Sequence, residues 1–260
     1  MNNSQFTITV IKVGGAVVED AASLTALLDS FVQLEGSKVL VHGGGRLATK
    51  MAAQLGIESQ MVGGRRVTDA DMLRVVTMVY AGLVNKNIVA QLQARGVNAL
   101  GLTGADLNLI RAHRRPITPE GIDFGFVGDV DTADGATLAQ LLTMGITPVI
   151  APLTHDGEGH LLNTNADTMA QTVAVALSKT HPWGLTYCFE LPGVLRNPSD
   201  PASLIPHLTE AEFRALVADG TISGGMIPKL ENAFAALRAG VASVRITDIY
   251  HLQGGTVVSL

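Results

Sequence analysis

The chain has a single cysteine, Cys188, in 260 residues. One thiol excludes an intramolecular disulfide and fits a reducing compartment. Aromatic residues make up only 4 % while apolar residues reach 47 %, so the core must be built from Ala, Val, Leu and Ile. Basic charge is scarce as well. A net charge of −5 gives no electrostatic footing for nucleic acid. The first residues, Met-Asn-Asn-Ser-Gln, lack the basic region and apolar run of a secretory signal, and no apolar run approaches the length of a membrane span. These absences predict a soluble, cytoplasmic protein with neither nucleic acid nor membrane as partner. His155, Asp156, Glu158 and His160 fit no zinc spacing, so they read as a polar loop and no metal site is expected. The Arg111–Arg115 run lies in a polar, turn-rich stretch and reads as a solvated face.

Glycine, by contrast, is abundant at 28 residues, which suits repeated strand-to-helix turns. Two apolar strands run straight into glycines: Thr7–Val13 into Gly14-Gly15, and Lys38–His42 into Gly43-Gly44-Gly45. Without Cβ, a chain leaving a strand can turn sharply and let an anion approach its N–H groups. A helical pattern follows each cluster and adds the positive end of a helix dipole. Neither cluster reads Gly-x4-Gly-Lys-Ser/Thr, so the usual P-loop is excluded. Lys12 sits inside the first strand. A buried unpaired lysine is costly, so its head must reach an anion or the solvent, and a sheet-edge lysine is the alternative. The adjacent glycines favour phosphate.

Strands and helices alternate along the chain. Leu24, Leu27, Leu28 and Phe31 fall on one helical face, Leu47–Leu55 forms a second helix, and residues 59–67 form a hairpin around Gly63-Gly64. Thr68-x-x-Asp71 resembles a capping box for a helix running towards Arg95, and Val97–Leu102 reads as a strand. Residues 107–130 read as a hairpin or lid. Asp134 caps a helix ending at Gly145, and Ile146–Ala151 is a strand. In the second half the pattern gives a helix from Asn165, strand Leu185–Phe189 and a surface loop over 196–208. A capped helix from Thr209, a helix over 226–239 and strands at 242–247 and 256–259 follow. The order implies an α/β fold: a three-layer sandwich around a mostly parallel sheet that binds ligands at the strands' C-terminal ends. Two lobes sharing that sheet are expected, divided near residues 154 and 155.

Two further clusters carry polar groups at helix starts. Asn163-Thr164-Asn165-Ala166-Asp167 offers more than the one side chain a cap needs, and Asp167 could face a lysine. Gly224-Gly225-Met-Ile-Pro-Lys229 repeats the glycine pair with a lysine nearby; a glycine-entered helix with a surface lysine is the alternative. Gly43-Gly44-Gly45-Arg-Leu-Ala also matches a dinucleotide fingerprint, Gly-x-Gly-x-x-Ala. That reading needs an acidic residue ending the next strand, and the next segment is a glycine-rich hairpin ending in two arginines.

In order along the whole chain, these segments resemble the amino-acid kinase family, and within it the N-acetylglutamate kinase branch. The markers are Val-Ile-Lys12-Val-Gly-Gly, Val-His-Gly-Gly-Gly45, Gly-Arg-Arg66-Val-Thr, Gly82-Leu-Val-Asn-Lys86, Gly125-Phe-Val-Gly-Asp-Val130, Asn163-Thr-Asn-Ala-Asp167 and Gly225-Met-Ile-Pro-Lys229. The resemblance implies transfer of the ATP γ-phosphoryl group to the side-chain carboxylate of an N-acylated glutamate, giving an acyl phosphate in arginine biosynthesis. It assigns Lys12 and Lys229 to stabilising the transferred charge, with Asp167 holding both ammonium groups. Gly14, Gly15, Gly44 and Gly45 hold the phosphoryl group and the acceptor carboxylate through backbone N–H groups. Arg66 pairs with the substrate α-carboxylate, and Asn163 and Asn165 lie on the substrate side. Glu190, Leu191, Gly193, Leu195, Thr221 and Ser223 fall to the nucleotide, and Mg²⁺ arrives on ATP.

One segment departs from the pattern. The family usually has Ser/Thr-Asp-Val-x-Gly where this sequence reads Phe189-Glu-Leu-Pro-Gly-Val-Leu195. Glu190 is longer and Pro192 lacks an N–H donor. The lobes are expected to be residues 1–154 for the acylglutamate and the dimer contact, and 155–260 for the nucleotide. The resemblance and the short N-terminus together imply a homodimer without strong arginine feedback. The acyl group, acetyl or succinyl, is left open, as are another carboxylate kinase of the family and a non-catalytic nucleotide or amino-acid sensor.

Overall fold

The structure is a computed structural model and describes residues 8–260, so Thr7 of the expected first strand lies outside the described residues. In chain order the strands are β1 (Ile8–Val13), β2 (Lys38–His42), β3 (Met61–Val62), β4 (Arg65–Arg66), β5 (Ala99–Leu102), β6 (Ile110–Arg114) and β7 (Gly128–Ala133). They continue as β8 (Thr147–Ile150), β9 (Leu153–His155), β10 (Leu161–Asn163), β11 (Trp183–Cys188), β12 (His207–Thr209), β13 (Ser243–Thr247) and β14 (Thr256–Ser259). One eight-stranded sheet runs β12-β14-β13-β11-β1-β2-β8-β5, parallel throughout except between β13 and β14. Its strands come from both halves of the chain.

β1 lies at the centre, flanked in parallel by β11 and β2, and strand alternation decides which way its side chains go. Val10 faces a core built with helices Ala166–Ser178 and Met226–Arg238, while Ile11 and Val13 face another built with Ala21–Val32, Gly45–Gln54 and Ala70–Val76. Lys12 therefore shares the Val10 side and meets the helix that begins at Ala166. Leu24, Leu27, Leu28 and Phe31 are all buried, as their spacing predicts.

Four sequence expectations need correction. Asp69, not Thr68, caps the helix at Ala70: its carboxylate accepts from Met72 N–H at 2.8 Å, whereas Thr68 is fully buried and serves Asn163. The helix continues to Gln93, but Thr77–Val84 widens into a π-helical segment. That helix has the length and apolarity of a membrane span, contrary to the reading that no run approaches one. Yet Met72, Val75, Val76, Val79, Tyr80, Val84, Ile88 and Leu92 pack into the core. His155 ends β9 and residues 156–160 are the turn of a β9–β10 hairpin, which joins β6 and β7 in a second, four-stranded sheet. The 196–208 loop ends in β12, an edge of the main sheet. The β6–β9 and β12–β14 pairings are long-range, and strands of three residues leave little periodicity to read.

Candidate active site

The C-terminal ends of β1 and β2 place the two glycine turns against each other. Gly43 N–H donates to the Val13 carbonyl at 2.9 Å. A Cβ on Gly43 would lie 3.1 Å from Gly15 N, and one on Gly15 would lie 3.4 Å from Gly44 N and Gly45 N. A Cβ on Gly44 would press 2.9 Å from the Tyr80 ring. These glycines are needed because two backbones and a tyrosine meet there. Gly14 differs: a Cβ there would touch nothing within 4 Å, and its φ of −76° suits any residue. The space beside it is open for a ligand. Helices Gly15–Glu19 and Gly45–Gln54 both start without a side-chain cap, so their first N–H groups are left for another acceptor.

Lys12, 7 % exposed, places its ammonium 2.7 Å from Asp167 Oδ1. That oxygen accepts no well-angled hydrogen bond, so the contact is an ion pair with bonding capacity to spare. Asp167 stands in the first turn of helix Ala166–Ser178, whose cap is Asn165. Asn165 Oδ1 accepts from Asp167 and Thr168 N–H at 2.8 and 3.1 Å. Its carbonyl is thus committed to the helix, which is the capping alternative the sequence offered. The second ammonium expected on Asp167 is elsewhere: Lys229 lies 4.0 Å over the Phe189 ring. Its acidity is raised, first by burial and then by facing Lys12, with Glu190 and Asp167 acting in the opposite direction.

A cavity of about 270 Å³ is lined by Lys12, the glycine turns, Arg66, Tyr80, Arg115, Asp129, Asn163 and Asp167, among others. Arg66 is 9 % exposed and holds its surroundings together. It donates to Ser59 Oγ, Thr49 Oγ1 and the Gly45 carbonyl, each at 2.8 Å. This braces the glycine turn against the β3–β4 hairpin and leaves Nε–H as the donor outside these contacts. Asn163 donates to Thr68 Oγ1 at 2.9 Å, which leaves its side-chain carbonyl turned to other use. Behind the turns, His42 is fully buried between the Gly43 carbonyl at 2.8 Å and Asn85 Nδ2 at 3.2 Å. The carbonyl requires a proton on Nδ1, so Nε2 accepts from Asn85. Burial holds the imidazole neutral, its pKa lowered to about 4 although the carbonyl opposes this.

Sequence reasoning missed three residues of this site. Arg115, read as part of a solvated face, pairs bidentately with Asp129, lies 5.5 Å over Phe124 and lines the cavity. Only the hairpin register that sets β6 against β7 could have joined the two. Tyr80 enters because the π-helical segment carries it over Gly44, a placement with no signal in the sequence. Burial raises the Tyr80 pKa, and Arg66 partly offsets this.

The residues assigned to the nucleotide are not brought into this cavity. Glu190 is exposed and lies 3.7 Å from Arg46. Gly193 packs where a Cβ would meet Leu204 and Thr256, and Leu195 is buried in a bridge to Leu204. Leu191 and Thr221 are partly buried, and Ser223 is exposed. Asp156, Glu158 and His160 do come within metal-binding range of one another. The same Asp156 Oδ1 accepts from both Glu158 and His160 N–H, which accounts for the cluster as a tied hairpin turn.

The sequence model of the amino acid kinase family matches residues 7–248. The chain is 61 % identical over 251 residues to the acetylglutamate kinase of Bacteroides fragilis, covering 96 % of this chain and 95 % of that one. It is 63 % identical over 240 residues to the acetylglutamate kinase of Bacteroides thetaiotaomicron, covering 92 % and 93 %. Among solved structures it resembles smu.665 from Streptococcus mutans, with a TM-score of 0.77 at 28 % identity over 97 % of this chain and 98 % of that one.

Proposed function

The chain belongs to the amino acid kinase family, and from that premise we propose that it transfers the ATP γ-phosphoryl group to the side-chain carboxylate of N-acetyl-L-glutamate. The supporting observation is the Lys12–Asp167 pair set beside two capless glycine turns, in a chain so similar to acetylglutamate kinases. A carboxylate nucleophile carries no proton to remove. Catalysis then consists of aligning two anions and neutralising charge as the phosphoryl group moves.

Lys12 meets the transferring group from the β1 side and Lys229 from the nucleotide side. Asp167 holds the Lys12 ammonium in place and is no base. The N–H groups of Gly14, Gly15, Gly44 and Gly45 hold the phosphoryl and carboxylate oxygens; the open space at Gly14 fits a phosphate there. Arg66 offers its remaining donor to the substrate α-carboxylate, and the Asn163 carbonyl takes the substrate amide N–H. The donors around Lys12 are N–H and ammonium groups and the cavity's two carboxylates, Asp167 and Asp129, are already paired with Lys12 and Arg115, so Mg²⁺ fits only as an ion carried on ATP phosphates. In this reading residues 1–154, joined by Asn163, hold the acylglutamate and residues 155–260 the nucleotide, through Glu190, Leu191, Gly193, Leu195, Thr221 and Ser223.

Two finer readings go with it. β5 ends the main sheet with Leu100 exposed, and Met78 and Leu83 lie exposed on the neighbouring helix. This edge suits a second copy of the chain, and a homodimer on sizing is expected. The buried thiol Cys188, its pKa pushed up to about 12 by burial, suits a cytoplasmic enzyme that makes no use of it. The decisive experiment is an ATP-dependent hydroxamate assay run side by side with N-acetyl-L-glutamate and N-succinyl-L-glutamate. Turnover of the acetyl compound supports the proposal, and preference for the succinyl compound moves the acyl assignment. ATP binding with no turnover of either supports a sensor instead.

A further inference from the structure

Asp167 carries one carboxylate for two lysines, and the structure gives it to Lys12. Lys229 has a different partner. Its ammonium stands 4.0 Å from the centroid of the Phe189 ring, and the Lys12 ammonium stands 5.5 Å from the same centroid. The face of an aromatic ring carries negative charge, and a cation within about 6 Å of its centroid is attracted to it. Two ammonium groups that repel each other therefore share one neutral, electron-rich surface.

That surface is fixed. Phe189 follows β11 directly, and two-residue alternation puts its ring on the same side as Tyr187. The two rings stack with centroids 6.0 Å apart and planes 8° from parallel. Phe189 N–H donates to the Thr247 carbonyl at 2.8 Å, and the ring packs partly buried against the main core. It cannot follow the lysines; they come to it. The resemblance leads one to expect Ser or Thr at this position, a side chain without a π face, so the arrangement departs from the family's usual pattern.

We propose that Phe189 is a positioning residue for the phosphoryl transfer: its ring face seats the ammonium groups of Lys229 and Lys12 side by side, aimed at the transferring group. The proposal rests on the functional reading above for what the two lysines do. The charged and titratable groups around Lys229 are Lys12 on β1, Asp167 on helix Ala166–Ser178, Glu190 beside the ring and Tyr187 beneath it. Of these, Asp167 is spent on Lys12 and Glu190 is exposed. Both act on Lys229 from a distance, and the ring is the group that its ammonium directly touches.

The test replaces Phe189 with phenylalanines carrying one, two and three fluorines, which drain the ring face while keeping its shape. kcat should fall stepwise, with KM for N-acetyl-L-glutamate unchanged within about twofold. Phe189→Leu, which fills the site without a π face, should lower kcat by about 3- to 30-fold, the range set by cation–π energies. Phe189→Tyr should recover most of it. In parallel, the Lys229 amine is titrated by ¹³C NMR of the reductively methylated protein, and its pKa should fall further in Phe189→Leu than in Phe189→Tyr. Equal kcat and equal Lys229 titration across the fluorinated series would overturn the proposal, as would equal losses in Leu and Tyr variants. If the parent protein turns over no acylglutamate, the functional reading fails. The titration still decides the role of the ring.

Discussion

The two sides of the candidate site are built by different means. On the side proposed for the substrate, backbone packed against backbone sets the geometry: Gly43 against Gly15, Gly44 under Tyr80, and Arg66 and His42 bonded to the carbonyls of Gly45 and Gly43. On the side proposed for the nucleotide, side chains set it: Lys229 over Phe189, beside an exposed Glu190. Where backbone meets backbone or a ring, as at Gly43 and Gly44, a side chain has no room and the constraint leaves a motif in the sequence. A seat made of side chains can change residue and keep its function, so the family pattern lapses at Phe189 and Glu190 while it holds at the glycines.

The comparison breaks most visibly at the lysines. Lys12→Met leaves Asp167 unpaired at the centre of the sheet edge and removes a positive charge that lines the cavity with the glycine turns. kcat should fall by about 10²- to 10³-fold, as when a preorganised charge donor is lost. Lys229→Met should also cost kcat far more than KM, since its charge matters chiefly in the transition state. Its half-buried position predicts no loss of thermal stability. Steady-state kinetics and melting curves on both variants check this. A Lys229→Met effect confined to KM would contradict a transition-state role for that lysine.

The glycines sharpen the comparison next. Gly44→Ala forces a methyl to within 2.9 Å of the Tyr80 ring and should cost about 1–3 kcal/mol of stability by overpacking. Gly14→Ala meets nothing in the protein and should melt with the parent. It nevertheless intrudes on the space assigned to the phosphoryl group, where misplacement by about 1 Å can cost 10²-fold in rate. Stability lost in one and activity lost alone in the other is the expected pair of outcomes. An active Gly14→Ala would remove that turn from the phosphate cradle.

His42 gives a smaller, pH-dependent effect on the substrate side alone. Its pKa is lowered to about 4 in the folded protein and is about 6.5 unfolded. Between these values the unfolded chain binds a proton that the native one does not, so stability is full above pH 6.5 and falls as the pH drops. From pH 7 to 5 the loss should be about 2 kcal/mol. Guanidinium unfolding at the two pH values measures it. His42→Asn should be less stable throughout and should lose this part of the slope.

How far the sequence could be read follows the same division. β1, β2, the glycine turns, Lys12 and Asp167 were legible because each follows from a short local pattern: an apolar run, a glycine pair, a helix start. Helix Ala70–Gln93 was legible in extent, but its π-helical segment was not, and Tyr80 was lost with it. Arg115 and Asp129 are 14 residues apart and meet only through the β6–β7 register, so a run of arginines read as solvent-facing. Lys229 was found by its glycines, yet its seat on Phe189 depends on β11 ending level with β1, which pairing alone decides.

The smallest expected effect lies on the nucleotide side, at the Arg46–Glu190 pair. The two charges lie 3.7 Å apart with side chains 67 % and 74 % exposed, so water screens most of their attraction. Glu190 also faces Lys229 and acts to keep it protonated, but as the third influence after burial and Lys12. Glu190→Gln should therefore leave the melting temperature unchanged, lower kcat at neutral pH by less than about twofold, and shift the alkaline limb of the rate profile slightly to lower pH. A rate profile on the variant from pH 6 to 10 checks this. A large drop at pH 7 would mean that Glu190, rather than the ring beside it, carries the compensation for the Lys229 charge. The nucleotide side would then rest on a carboxylate after all.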